Sequence, residues 1–181
     1  MTEAEWNVVV TAYPGAYAEA KRLLSRYGKV GRTEYFNVLV LTVPDVNDLL
    51  GQLEELTRED MTLLNAASRI IPAQRSFDFQ SPQEFEEKAC LALDEMINRL
   101  EGCSFHVRMH RRGFKGRMSS PEEERFLDRH ILSRLEERGS SGSVTFDDPD
   151  VIVTVETVGQ RAGLGCWSRE ERERYPFLNL D

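Results

Sequence analysis

His106 and His110 lie four positions apart in the run SFHVRMHRRGFKGRMSS, residues 104–120, with Cys103 just ahead of them. Histidine is the commonest metal ligand and a ready proton carrier, and a thiol beside it can serve as a nucleophile. Geometry decides between these uses. Phe105, Val107 and Met109 alternate with His106, Arg108 and His110, which is the pattern of a half-buried strand. At about 3.3 Å per residue the two imidazoles then stand about 13 Å apart. One ion needs each nitrogen at about 2.0–2.1 Å, so the pair is not expected to chelate. Cys103 has no third group in view to orient it, and it reads as a plain buried or capping cysteine. Asp147, Asp148 and Asp150 form a carboxylate cluster, but Asp148–Pro149 favours a turn in which aspartate bonds its own backbone. The run GQRAGLG, 159–165, matches neither a phosphate loop nor a dinucleotide fingerprint, and no zinc-protease or nucleophile-elbow motif occurs. The expectation is a chain that is not an enzyme, with no metal and no cofactor.

The same run offers a different chemistry. It holds five cations (Arg108, Arg111, Arg112, Lys115 and Arg117) and no acid, in a chain with 31 Asp+Glu, 23 Lys+Arg and net charge −8. Residues 102–120 carry +5, so the remainder carries −8 − 5 = −13. A local patch, not the total, decides what a phosphate backbone meets. Arg108 shares the polar strand face, while Arg111, Lys115 and Arg117 fall in a glycine-bearing loop able to point at an anion. Backbone N–H groups at the helix start near Ser120 can add to such a site. Glu122, Glu123 and Glu124 in its first turn work against that. The competing reading is a solvated basic face paired with acids such as Glu156. The residues leave both open.

Positioning these groups requires particular elements. Trp6–Tyr13 reads as a strand, and PGAYAEAKRLLSRYG, 14–28, as a helix with Gly28 as its C-cap. Two strands follow, KVGRTEY and FNVLVLTV, then a helix over 44–60 with Val46, Leu49, Leu50, Leu53 and Leu56 on one face. SRIIPAQRSFDF reads as a fourth strand, bent at Pro72. This β-α-β-β-α-β order is the ferredoxin-like one. After Gln80, a helix opens with Ser81, Pro82 and Glu84, a capping-box start that Ser120, Pro121 and Glu123 repeat. The basic strand lies between the two helices, and a strand over Val151–Val158 and a shorter one over 160–168 follow them. The fold class expected is α+β, with modules at 1–78 and 81–181. Tyr175, Phe177 and Leu178 are expected to dock the tail.

Composition narrows the setting. The three cysteines are scattered, which supports neither a disulfide framework nor a zinc site. Apolar runs such as Val38–Leu41 are far below the roughly 20 residues of a membrane span, and the acidic start lacks a signal-peptide core. A cytoplasmic protein with no membrane partner is expected.

FHVRMHRRGFKG, then E-E-x-x-x-L-D-R-x-I, then FDDPDVIVTVETVGQRAGLG together resemble the THUMP domain, over roughly 81–181. The likeness is closest to small THUMP adaptors of tRNA cytidine acetylation. It implies an RNA-binding module preceded by a ferredoxin-like domain, contacting the acceptor region of tRNA and presenting it to a separate modifying enzyme, with no DNA partner. Arg108, Arg111, Arg112 and Lys115 are the matched basic positions, and Asp148 and Glu156 are implied to fix the turn and the sheet. Family enzymes carry a further catalytic domain whose motifs do not occur here, so the resemblance implies binding without chemistry. The acidic remainder supports an alternative, a protein-interaction or regulatory module with weak or lost RNA affinity.

Overall fold

The computed structural model describes residues 5–180. They fall into two compact units: residues up to Ala73 with those from Glu170 onward, and Gln74–Arg169. No helix among the described residues is long and apolar enough to cross a membrane.

The first unit is built on β-branched runs that bury both faces of a sheet. β1 (Val8–Ala12) is central, antiparallel to β3 (Val38–Thr42) on one side and to β4 (Ala67–Pro72) on the other, and β2 (Lys29–Arg32) completes the order β2-β3-β1-β4. Val9, Val40 and Ile71 form one cross-strand row, and Val10, Leu39 and Ile70 the next on the opposite face; all six are buried. α1 (Tyr17–Leu24) and α2 (Val46–Glu59) contribute Leu23, Leu24, Leu49, Leu50 and Leu53 to the core. Asp45 caps α2 by accepting from the N–H groups of Asn47 and Asp48. A short helix, α3 (Thr62–Ala66), precedes β4 and was not visible in the periodicity. Gly28 is not the C-cap of α1, which is Ser25. Its role is close approach: a Cβ there would meet the Thr42 carbonyl oxygen at 2.3 Å.

The stretch read as one bent strand is two strands in two sheets. β4 ends at Pro72, which has no N–H for another rung. Ala73 still donates to the Asn7 carbonyl, but Gln74 donates to that of Leu164, and β5 (Arg75–Asp78) pairs antiparallel with β9 (Arg161–Ser168). The second sheet has the order β5-β9-β8-β6-β7. β8 (Val151–Val158) is antiparallel to β9, while β6 (Ser104–His110) runs parallel to β8 and to the two-residue β7 (Ser143–Val144). α4 (Pro82–Glu95) and α5 (Ser120–Glu137) supply Phe85, Leu93, Leu127 and Ile131 to a core shared with Phe105 and Val107 of β6.

Two further expectations are corrected. The tail, with α6 (Arg169–Arg174), buries Tyr175, Phe177 and Leu178 as expected, yet from Glu170 onward it belongs to the first unit rather than to a module ending at 181. The capping motif also differs between its two occurrences. Ser81 Oγ accepts from the Glu84 N–H at 3.1 Å, whereas α5 is capped at Ser119 with no side-chain bond.

Candidate nucleic-acid interface

Strand parity places the apolar side chains of β6 in the core, and Phe105, Val107 and Met109 are all buried. The polar side is more constrained than its charge suggested. His106 is only 8% exposed, and its Nδ1 has no hydrogen-bond partner, lying 3.7 Å from Asp128 Oδ2. Burial pushes the imidazole below its ordinary value. His110 and Arg112 converge on Glu156, which is 2% exposed on the next strand: His110 Nδ1 lies 2.9 Å from Oε1 and Arg112 Nη1 lies 2.5 Å from Oε2. Burial alone would raise the Glu156 carboxyl; His110 and Arg112 more than offset it and hold it below the usual carboxylate range.

Arg112 is therefore not an open cation. Its N–H donates to Thr157 Oγ1 at 3.0 Å, its carbonyl accepts from the Gly159 N–H, and its guanidinium is committed to a buried carboxylate. Arg111 folds onto the Gly113 carbonyl. Arg108, partly exposed, stays on the polar strand face, in the row with Thr154 and Gly165.

The loop is ordered by a device the sequence did not advertise. Gly113, Phe114 and Gly116 all take positive φ, the middle one at +55° despite its side chain. Phe114 packs its ring 5.1 Å from that of Phe79, and the Arg117 N–H and the Met118 N–H both donate to its carbonyl. Met118 is buried, so the loop is pinned at both ends, and Lys115 and Arg117 are left exposed between the pins. The Arg117 guanidinium lies 4.8 Å above the Phe114 ring, and Lys115 makes no ion pair among the described residues. All five predicted cations thus lie on one strand and its following loop, but only Lys115 and Arg117 are exposed.

Sequence reasoning missed the carboxylates that close the open side of β6. Beyond Phe105, β7 no longer pairs with β6. There, Asp128 Oδ1 accepts the Val107 N–H at 3.0 Å and Glu124 Oε1 the Met109 N–H at 2.8 Å. These two side chains are one helical turn apart on α5, so they meet alternate N–H groups of the strand. Burial raises the Asp128 carboxyl to about 6. The spacing Glu124-x-x-x-Asp128 was the available signal. It gains meaning only once α5 is known to lie along β6.

The aspartate turn carries no metal arrangement: Arg169 reaches Asp148 Oδ1 at 3.1 Å and Asp150 Oδ1 at 3.3 Å, while Asp150 and Ser104 exchange side-chain and backbone hydrogen bonds. No group of three or more His, Cys, Asp or Glu residues suited to a metal occurs among the described residues.

No family model matches the sequence, and no curated protein does. Solved structures do resemble the fold. TrmN from Thermus thermophilus matches with TM-score 0.59 and 22% identity over 88% of this chain and 44% of its own. A 4-thiouridine synthetase in complex with RNA and bound ATP gives 0.53 and 16% over 90% and 41%. SMU.472, a candidate methyltransferase complexed with SAH, gives 0.52 and 15% over 88% and 40%. The chain spans under half the length of each. These matches overturn the expectation that the chain is not an enzyme. That expectation leaned on sequence length and missing motifs, whereas the fold occurs inside enzyme chains more than twice the length it occupies. At these identities the likeness establishes a shared mixed α/β fold; the described residues of this chain form two sheets and six α-helices.

Proposed function

We propose that this chain is a THUMP-type RNA-binding module with a ferredoxin-like first unit, which holds tRNA by its acceptor region and presents it to a tRNA-modifying enzyme. The strand order β2-β3-β1-β4 supports the ferredoxin-like assignment. The likeness to a 4-thiouridine synthetase complexed with RNA supports the RNA reading. The observation that carries it is the pinned loop: two exposed cations, Lys115 and Arg117, held on a rigid turn at the end of the basic strand in an otherwise acidic chain. Rigid presentation lowers the ordering cost of binding, and phosphates need no more than a placed positive charge.

Salt-titrated binding of intact tRNA tests this. The log–log slope against salt is about −0.7 to −0.9 per phosphate neutralised, so Lys115→Glu with Arg117→Glu should flatten it by about 1.4–1.8 and weaken binding at low salt. A double variant that binds with unchanged affinity and slope would remove the site assignment. Equal affinity for tRNA lacking its 3′ end would detach the chain from the acceptor region. Retention of a protein partner with no tRNA binding at low salt would favour the interaction-module reading.

A further inference from the structure

Phe146, in the turn between β7 and β8, is 69% exposed. The side chain is not loose. Its ring meets His106 edge-on, with centroids 4.7 Å apart and planes at 69°. His106 is itself buried, so the imidazole acts as a fixed floor against which one edge of the phenyl ring rests while most of the ring faces water. Two residues further along the same face of β6, about 7 Å away by strand geometry, comes Arg108. Beyond it the strand runs into the loop that exposes Lys115 and Arg117. An exposed ring at one end of a strand, with cations along that strand and past its other end, is the combination that single-stranded nucleic acid requires: a base stacks on the ring and the backbone follows the charge. Of the acids in the same turn, Asp148 and Asp150 pair with Arg169 and Asp147 is exposed, while Asp128 lies under His106, 3.7 Å from its Nδ1.

We propose that Phe146 is a stacking platform for one unpaired nucleobase of the bound RNA, with Arg108 supplying positive charge beside it. This rests on the RNA-binding reading and adds to it a selectivity, for unpaired over duplex RNA. The ring's π face discriminates little between bases, so no sequence preference is expected from it.

The test uses the full chain with three probes: intact tRNA, a short single-stranded RNA, and a blunt duplex of the same sequence. Phe146→Ala should weaken single-strand binding by about 5- to 150-fold, the range of one base–aromatic stack, and leave the salt slope unchanged because no phosphate contact is lost. Duplex binding should not move. Phe146→Trp should keep single-strand affinity, and its introduced indole should be quenched by the RNA. That signal is readable because Trp6 and Trp167 are both fully buried. An unchanged melting temperature checks that the alanine variant folds. If Phe146→Ala binds the single strand like the unaltered chain, or the introduced indole is not quenched, the stacking assignment falls while the RNA reading stands, and Phe146 is left to contact a protein. An unaltered chain that binds none of the three probes at low salt overturns both.

Discussion

Arg112 is the residue on which the sequence reading and the structure differ most usefully, because the two assign it different work. As an RNA contact, its loss would cost binding and little else. As the partner of Glu156, its loss would cost the fold. The carboxylate is 2% exposed and has Arg112 Nη1 at 2.5 Å and His110 Nδ1 at 2.9 Å. Arg112→Met keeps the aliphatic stem and removes the guanidinium, leaving a buried charge with one partner fewer. Breaking a buried pair from one side costs about 3–5 kcal/mol. For a chain of this length that is a fall of about 6–20 °C in melting temperature, at about 2–4 °C per kcal/mol. Adding Glu156→Gln to the variant removes the stranded charge and should recover most of the loss. The pH dependence gives an independent check. The Glu156 carboxyl sits below its ordinary 4.5 in the folded chain, so the pair's contribution is present above pH 4.5 and disappears as pH falls through the folded value. The deficit of Arg112→Met should therefore be largest near pH 7–8 and shrink toward pH 4. Urea unfolding followed by tryptophan fluorescence across that range measures it. An Arg112→Met chain that melts within about 2 °C of the unaltered one at pH 7.5, but loses tRNA, would refute the structural assignment and restore Arg112 to the RNA surface.

Other consequences follow from the carboxylates and thiols of the second unit. Burial first, and then the hydrogen bond and charge of Glu86, raise Glu123 from 4.5 to about 7. Its contribution to stability is full below pH 4.5 and lost as pH rises through 7, so Glu123→Gln should match the unaltered chain near pH 4.5 and exceed it at pH 8 by up to about 3 kcal/mol, measured by urea unfolding at both values. Asp128→Ala should cost about 1–3 kcal/mol, because it strands the Val107 N–H, whereas Asp128→Asn keeps an oxygen acceptor and should cost nothing above pH 6; equal losses in the two variants would refute the edge-closing role. Burial raises the Cys90 thiol to about 11, so at pH 8 only about one in a thousand is thiolate, and alkylation followed by mass spectrometry should label this site in the folded chain far more slowly than after denaturation.

Local signals revealed the elements they control and nothing beyond them. Val151–Val158 was legible as a strand to the residue, since a run in which every residue but Glu156 is β-branched has one good conformation. The apolar face of β6 was legible because parity is a local property. The split at Pro72 was not. Proline announces an interruption, but which sheet takes the next strand depends on Gln74 meeting Leu164, some 90 positions away. Nor could alternation reveal that the polar face of β6 is largely committed. It separates His106, Arg108 and His110 from the core, yet says nothing of Glu156 and Asp128, which arrive from β8 and α5. The resemblance did implicate Glu156 and Asp148 as structural, and both are held by arginines, Arg112 and Arg169.

Those pairings change what the charge run is for. Five cations in one acid-free stretch of an acidic chain suggest five phosphate contacts. Arg112 neutralises a buried carboxylate and Arg111 ties down the loop backbone, so both build the surface more than they advertise it. Lys115 and Arg117 then remain as the exposed pair, with Arg108 partly exposed on the strand behind them. Two or three phosphate contacts give only a shallow salt dependence, too weak on their own for firm retention at physiological salt. On the proposed RNA-binding reading, a surface with so few exposed cations must draw affinity from contacts that salt does not screen, and the ring of Phe146 is an exposed group beside that strand able to provide one. A tRNA isotherm whose salt slope corresponds to two or three contacts, with a residual affinity at high salt that Phe146→Ala abolishes, is the signature this division of labour requires. A slope near five contacts would mean that Arg111 and Arg112 leave their internal partners when RNA binds.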